Sequence, residues 1–218
     1  ATILKEHYNK CNWNNLLITA FKENEIDIEQ HELVGSNLLV RNIIQRLMEK
    51  VIEKDIAYKE PFQIVGLELK IKDVALPLSK ERTVYLKGTI DRVDVVQRTD
   101  GSTYIRIIDY KSGGVKMNTP NVYSKMKPIE QYMEEYFTSK VVKQGIQGYF
   151  YGYLYQSKDK LSDIIVGFYS ARSLNSGLQL LRKGESVQGA VLLEFETQLK
   201  QVLSELFNNN LPFEQTDN

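Results

Sequence analysis

Two stretches of the chain, RTVYLKGTIDRVDVVQR (82–98) and STYIRIIDY (102–110), are built from β-branched, apolar and aromatic residues, and Asp100-Gly101 separates them. Such residues fit a pleated, half-buried surface. An Asp-Gly pair between two such runs signals a hairpin turn. A preceding run, FQIVGLELKI (62–71), has the same character and supplies a third strand. The chain must therefore find something to cover a sheet.

The flanking sequence offers helices. Residues 2–22 suit a short helix. Residues 32–57 repeat Leu33, Leu38, Ile43 or Ile44, Leu47, Val51 and Ile52 at helical spacing, and Pro61 ends that region. Residues 129–156 read as helix in two pieces. LSDIIVGFYSAR (161–172) reads as a strand, and LNSGLQLLRK (174–183) as a turn followed by another strand. Residues 189–208 carry the stripe Val191, Leu192, Phe195, Leu199, Val202 and Leu206 of a closing amphipathic helix. The order predicts an α/β sandwich, a central mixed β-sheet flanked by helices. The 218 residues form one domain in this reading: a helical part (1–60), a core (61–172) and a closing hairpin and helix (173–218).

Composition narrows the function. Formal net charge is zero, so no global field recruits a polyanion, and any nucleic-acid surface must be local. Cys11 is the only cysteine, which excludes an intrachain disulfide and a cysteine-closed zinc site, and is compatible with a reducing, cytoplasmic setting. No stretch approaches the roughly 18 apolar residues of a membrane helix, and no basic-then-apolar leader opens the chain. A start at Ala1 without methionine suggests a processed protein or a piece of a longer one. Residues 111–128 contain Lys111, Lys116, Lys125 and Lys127 and no acid, a local basic patch that taken alone reads as a solvated loop.

Chemistry gathers at RIIDYKSGG (106–114). Strand side chains alternate faces, so Asp109 and Lys111 share one face and Tyr110 takes the other. Asp91 lies mid-strand in the other hairpin arm, among apolar neighbours. A lone carboxylate there is costly unless compensated. A divalent cation shared by Asp91 and Asp109 would compensate it, since carboxylate oxygens suit magnesium or manganese. The plainer alternative is a salt bridge from either acid to Lys111. Gly88, also mid-strand, marks a bulge or a close approach. On the helix around 140–155, Lys140, Gln144, Gln147 and Tyr151 share a stripe, and Gly145, Gly148 and Gly152 an adjacent one. Those glycines imply tight packing on the sheet or an approaching DNA backbone.

GTIDRVD (88–94), IIDYKSG (107–113) and the pair Gln147…Tyr151 within QGYFY (147–151) together resemble the PD-(D/E)XK nuclease superfamily. The nearest likeness is to its branch of RecB and AddB C-terminal nuclease domains. The resemblance covers roughly residues 62–155. It implies a restriction-endonuclease-like fold and metal-dependent hydrolysis of DNA phosphodiesters, exonuclease-type, in repair or recombination. It implies Asp91 and Asp109 as metal-binding acids, the Tyr110 carbonyl as a further ligand, and Lys111 as the catalytic lysine, with Mg2+ or Mn2+ as cofactor. Gln147, Tyr151, Gln144, Lys116, Lys125 and Lys127 would support or contact nucleic acid. Many members place a histidine after a glycine on an upstream helix. In ELVGSNLLVRNII (32–44) none follows Gly35, and His31 precedes it, so His31 and His7 are expected at the surface. Glu68 is the candidate extra carboxylate. AddB-type relatives close with an iron–sulphur cluster, which one cysteine cannot ligate, so none is expected in this chain as it stands. DNA is the expected partner, with a helicase-like region or subunit of a longer protein. A nuclease preferring RNA or branched DNA, and a catalytically silent nucleic-acid-binding module, stand as alternatives.

Overall fold

The computed structural model describes residues 2–24, 35–116, 128–138, 143–159 and 162–212. Lys125, Lys127, Lys140, His31 and Leu33 lie outside them. The N-terminal region holds two helices rather than one, α1 (Thr2–Lys10) and α2 (Trp13–Glu23). Asn12 separates them and accepts from the Asn15 amide at 3.1 Å, an N-cap for α2. The long α3 (Gly35–Ile56) follows.

Three antiparallel strands come next: β1 (Phe62–Pro77), β2 (Thr83–Gln97) and β3 (Thr103–Lys111). Gly101 takes a positive φ of 85° in the turn between β2 and β3, and Asp100 accepts from the Ser102 amide at 2.9 Å, as Asp-Gly predicts. The chain then crosses over through α4 (Ile129–Thr138) and α5 (Lys143–Gln156) and returns as β4 (Ile164–Ser170), parallel to β3. A parallel neighbour needs such a crossover. A two-residue β5 (Gln179–Leu180) completes a mixed sheet of order β1-β2-β3-β4-β5, and α6 (Ala190–Leu206) closes the fold. Of the turn and following strand expected over 174–183, the turn is present as 3-10 at Ala171–Ser176, while the strand is only the two residues of β5 before a second 3-10 turn at Leu181–Gly184. Arg182 and Lys183, left-handed at φ 51° and 54°, stop the extended run there.

Helices α4, α5 and α6 pack against one face of the sheet. Its core joins Ile107, Ile105, Val93, Val166 and Phe168 to Met133, Leu154 and Phe195. Much of the tyrosine sits here: Tyr136 meets the Tyr132 and Tyr149 rings edge-on at 5.3 and 5.1 Å. The glycine stripe on α5 serves this packing. A Cβ on Gly148 would lie 2.9 Å from Leu181 and 3.2 Å from Val166, which settles the close approach in favour of the sheet and the closing segment. Gly148→Ala should therefore lower stability by about 1 kcal/mol in denaturant titration. Overpacking of about 1–3 kcal/mol outweighs the roughly 1 kcal/mol that alanine gains in a helix.

The expected apolar stripe of α3 is not buried. Leu38 and Ile43 are exposed, and the one fully buried residue of that helix is an acid, Asp55. In α6 the first half of the stripe is buried, whereas Val202 and Leu206 are exposed.

Strand β2 changes the face it shows the core. Gly88 and Ile90 point to α5, the Gly88 position so closely that a Cβ would stand 2.6 Å from Leu154. Past them Val93, of opposite parity, joins the same core. Strand β1 makes the matching change between Leu69 and Gly66, with Glu68 left-handed at φ 47°. Asp91 sits at this crossover.

Candidate active site

The β2–β3 ladder pairs Val93 with Ile107 and Arg92 with Ile108. One step further, Asp91 falls across from Asp109, on the face that α5 covers. Asp91 Oδ2 accepts from the Tyr110 amide at 2.9 Å, so the carboxylate rather than a ladder bond holds the strands together there. Asp109 is 1% exposed, near the end of β3. Its Oδ1 accepts from Gln147 Nε2 at 3.2 Å and from the Tyr151 hydroxyl at 3.3 Å, and Gln147 also donates to Tyr151 at 2.7 Å. Spaced one turn apart on α5, these two side chains descend on the strand end together. Burial, with Asp109 beside it, pushes the Tyr151 phenol up to about 12. It therefore stays protonated and available as a donor.

Lys111 Nζ stands 2.8 Å from Asp109 Oδ2. The ion pair expected as the plainer alternative thus exists. Oδ2 is otherwise buried, and Lys111 faces it without a well-directed hydrogen bond. Burial pushes the Asp109 carboxyl up. Lys111 and Tyr151 pull the other way, and Asp91 adds to the rise. A carboxylate held up by burial and facing a second acid is a group that a cation would stabilise in its ionised form.

Among the described residues no three His, Cys, Asp or Glu side chains gather as a metal cage. Register places Glu68 across from Asp91, between the pairs Leu67–Arg92 and Leu69–Ile90, but it is exposed and not gathered with the two aspartates. His7 is exposed. The carboxylates that the structure sets across from each other are those of Asp91 and Asp109. Two carboxylates suit a hard cation that keeps several of its waters, as magnesium does.

Gln144 does not reach Asp109. Its Oε1 accepts from the Lys116 amide at 3.4 Å, tying the segment after β3 to α5.

Sequence reasoning missed what lies behind the site. On the opposite face Asp94 is wholly buried and accepts from Arg92 Nε at 2.8 Å and Arg106 Nη2 at 2.7 Å. Arg92 Nη1 reaches Asp55 of α3 at 2.5 Å and the Tyr110 hydroxyl at 3.2 Å. Tyr169 stacks on Tyr110 at 5.9 Å and donates to Asp55. Burial alone would lower the Arg92 guanidinium, but Asp94 and Asp55 outweigh it and hold it charged. Arg92 adjoins Asp91 and Tyr110 adjoins Asp109, so the contact between them braces both front-face acids. The signal was present: Arg92, Asp94 and Arg106 are charges at alternate positions of apolar strands, with Asp94 and Arg106 directly paired. Asp55→Asn should cost about 1–3 kcal/mol in denaturant titration, the range for a buried donor left short of its partner.

A mixed sheet covered by helices, with an acid in one hairpin arm and Asp-x-Lys at the end of the next, is the arrangement of a PD-(D/E)XK nuclease. The family description "PD-(D/E)XK nuclease superfamily" matches residues 18–218, and the chain belongs to that superfamily. Individual relatives are named as subunits of an ATP-dependent helicase/deoxyribonuclease. The one from Alkaliphilus oremlandii is 43% identical over 60 residues, 28% of this chain and 5% of the relative. The one from Clostridium acetobutylicum is 35% identical over 92 residues, 39% of this chain and 8% of the relative. The one from Listeria welshimeri is 31% identical over 105 residues, 43% of this chain and 9% of the relative. The chain thus matches less than a tenth of the length of these curated relatives. No solved structure matches it. No helix among the described residues is long and apolar enough to cross a membrane.

Proposed function

We propose that this chain is a magnesium- or manganese-dependent deoxyribonuclease of exonuclease type, serving repair or recombination in the cytoplasm alongside a helicase-like region or subunit. The observation that carries the reading is the buried Asp109 carboxylate, set across from Asp91 and paired with Lys111 at 2.8 Å. Asp91, Asp109 and the Tyr110 carbonyl would hold the cation, with Glu68 a candidate extra carboxylate near it. A divalent cation bound there supplies Lewis acidity, lowering the pKa of a coordinated water and polarising a phosphoryl oxygen.

The chain's own groups do the rest. Lys111 offers a positive charge to the attacking water or to the charge that develops on phosphorus. Gln147 and Tyr151 fix the rotamer of Asp109. The Tyr110 amide fixes Asp91, so both carboxylates are oriented before substrate arrives. Lys116, Lys125 and Lys127 neutralise backbone phosphates. The DNA preference and the helicase partner draw support from the relatives' names.

The test is hydrolysis of end-labelled single- and double-stranded DNA with magnesium or manganese and with excess chelator. Mononucleotide or short-oligonucleotide release that the chelator abolishes is the expected result. Binding without turnover in either metal would instead favour a silent nucleic-acid-binding module, and cleavage of RNA alone would overturn the DNA assignment.

A further inference from the structure

Beside the carboxylate pair lies an open cleft of about 330 Å³, lined by Gly114, Val115, Lys116, Lys143, Gln144 and Arg172. Three of these six residues are cations and none is an acid, in a chain whose formal net charge is zero. Lys116, Lys143 and Arg172 are all exposed, and none makes an ion pair with another described residue. Arg92, Arg98, Arg106 and Arg182, by contrast, are set against acids.

The cleft is held in shape. Buried Ser170, last residue of β4, donates to the Gly113 carbonyl at 2.8 Å and fixes the turn that leaves β3. The Gln144 side chain holds the Lys116 amide. Loop, helix and strand end, the three walls, are thereby tied together.

Its position is set by the topology. Lys111 pairs with Ser170 across the parallel β3–β4 ladder, so Arg172 stands two residues beyond the partner of Lys111. Gly114 is three residues past Lys111, within about 10 Å along the chain. Gln144 precedes Gln147 by three residues, a rise of about 4.5 Å on the helix. The cleft therefore continues the site along the carboxyl ends of two parallel strands.

We propose that this cleft seats one backbone phosphate of the substrate strand, a nucleotide or two from the bond that is cut. Arg172 grips it as a planar fork, Lys143 and Lys116 add charge, and the Gln144 amide donates. The placement relative to the cut rests on the nuclease reading; the binding of a strand phosphate does not. Arg172 and Lys143 thereby become substrate-positioning residues, which the sequence motifs did not mark.

The test uses a fluorescent 20-nucleotide single strand and copies of it in which one phosphate at a time is a neutral methylphosphonate. Binding is measured in the Asp109→Asn background, so it does not depend on turnover. The Arg172→Ala, Lys143→Ala pair should weaken binding at least about tenfold, the scale of one charged hydrogen bond. The log–log salt slope should fall by about 0.7 for each lost contact. One methylphosphonate position should weaken the intact cleft and leave the double variant unaffected, and Arg172→Lys should retain most of the slope. An unchanged affinity and slope, or no position that distinguishes the two proteins, overturns the cleft even if the chain cleaves DNA normally. Should the chain cleave nothing in either metal while the slope still falls, the cleft stands and the nuclease reading goes.

Discussion

Asp91→Asn and Asp109→Asn should each abolish metal-dependent cleavage and leave the fold intact. Both acids lie on one face of the β2–β3 hairpin, and neither belongs to the buried ion network behind it. Losing a Lewis acid removes several kcal/mol of transition-state stabilisation. At about 1.4 kcal/mol per tenfold, a loss of roughly a thousandfold or more is expected in single-turnover rate. Stability should move the other way at Asp109. Its folded carboxyl sits above its unfolded value because of burial. The folded protein therefore binds the extra proton more readily, and the ionised group costs stability once the pH exceeds both values. Without metal, Asp109→Asn should melt higher than wild type at neutral pH. The gap should narrow as the pH falls through the folded and then the unfolded value. Wild-type cleavage by either variant in magnesium would remove the proposed centre.

Lys111→Ala should separate metal binding from turnover. The lysine lies 2.8 Å from Asp109 but supplies no electron pair to a cation. Its removal takes a positive charge from the site, so manganese affinity measured by calorimetry should hold or rise. The single-turnover rate should still fall by about a hundredfold to a thousandfold, the range for deleting one group aimed at developing charge. DNA affinity should change little, since one contact among several is lost. Loss of metal binding in this variant would make the lysine part of the metal site's architecture. Unchanged cleavage would leave Asp109 and Lys111 as a salt bridge at a strand end.

The hairpin that frames the site was legible because β-branched and aromatic runs and an Asp-Gly turn agree there. Gln147 and Tyr151 were legible as one helical stripe, and both meet Asp109. Gln144, on the same stripe, was not separable from them by period alone. Whether a side chain one turn away reaches a strand end depends on where that strand stops, and β3 stops at Lys111. The face change at Gly88–Val93 was hidden for a similar reason. Alternation assumes an unbroken pleat, whereas the irregularity beside Glu68 breaks it. The buried charges escaped because single-residue reasoning treats each arginine as surface. Asp94, Arg106, Arg92 and Asp55 are tolerable inside only as a set. Asp55 comes from a helix 37 positions before Arg92, and no local pattern links the two.

The two faces of the hairpin divide their work by odd and even position. Asp91 and Asp109 serve one face, while Arg92, Asp94, Arg106 and Tyr110 serve the other. A strand offset by one residue exchanges its faces. Inserting or deleting a single residue between Asp91 and Val96, or between Tyr104 and Asp109, would turn an arginine toward the carboxylate centre and an aspartate into the ion network. Length can change freely only at Asp100-Gly101, where side chains belong to neither layer. Through the rest of the hairpin, residue substitutions can accumulate while insertions and deletions are barred, and the spacing of each acid from the brace residues of its own strand, Asp91 from Arg92 and Asp94 and Asp109 from Arg106 and Tyr110, is fixed as firmly by the brace behind as by the chemistry in front.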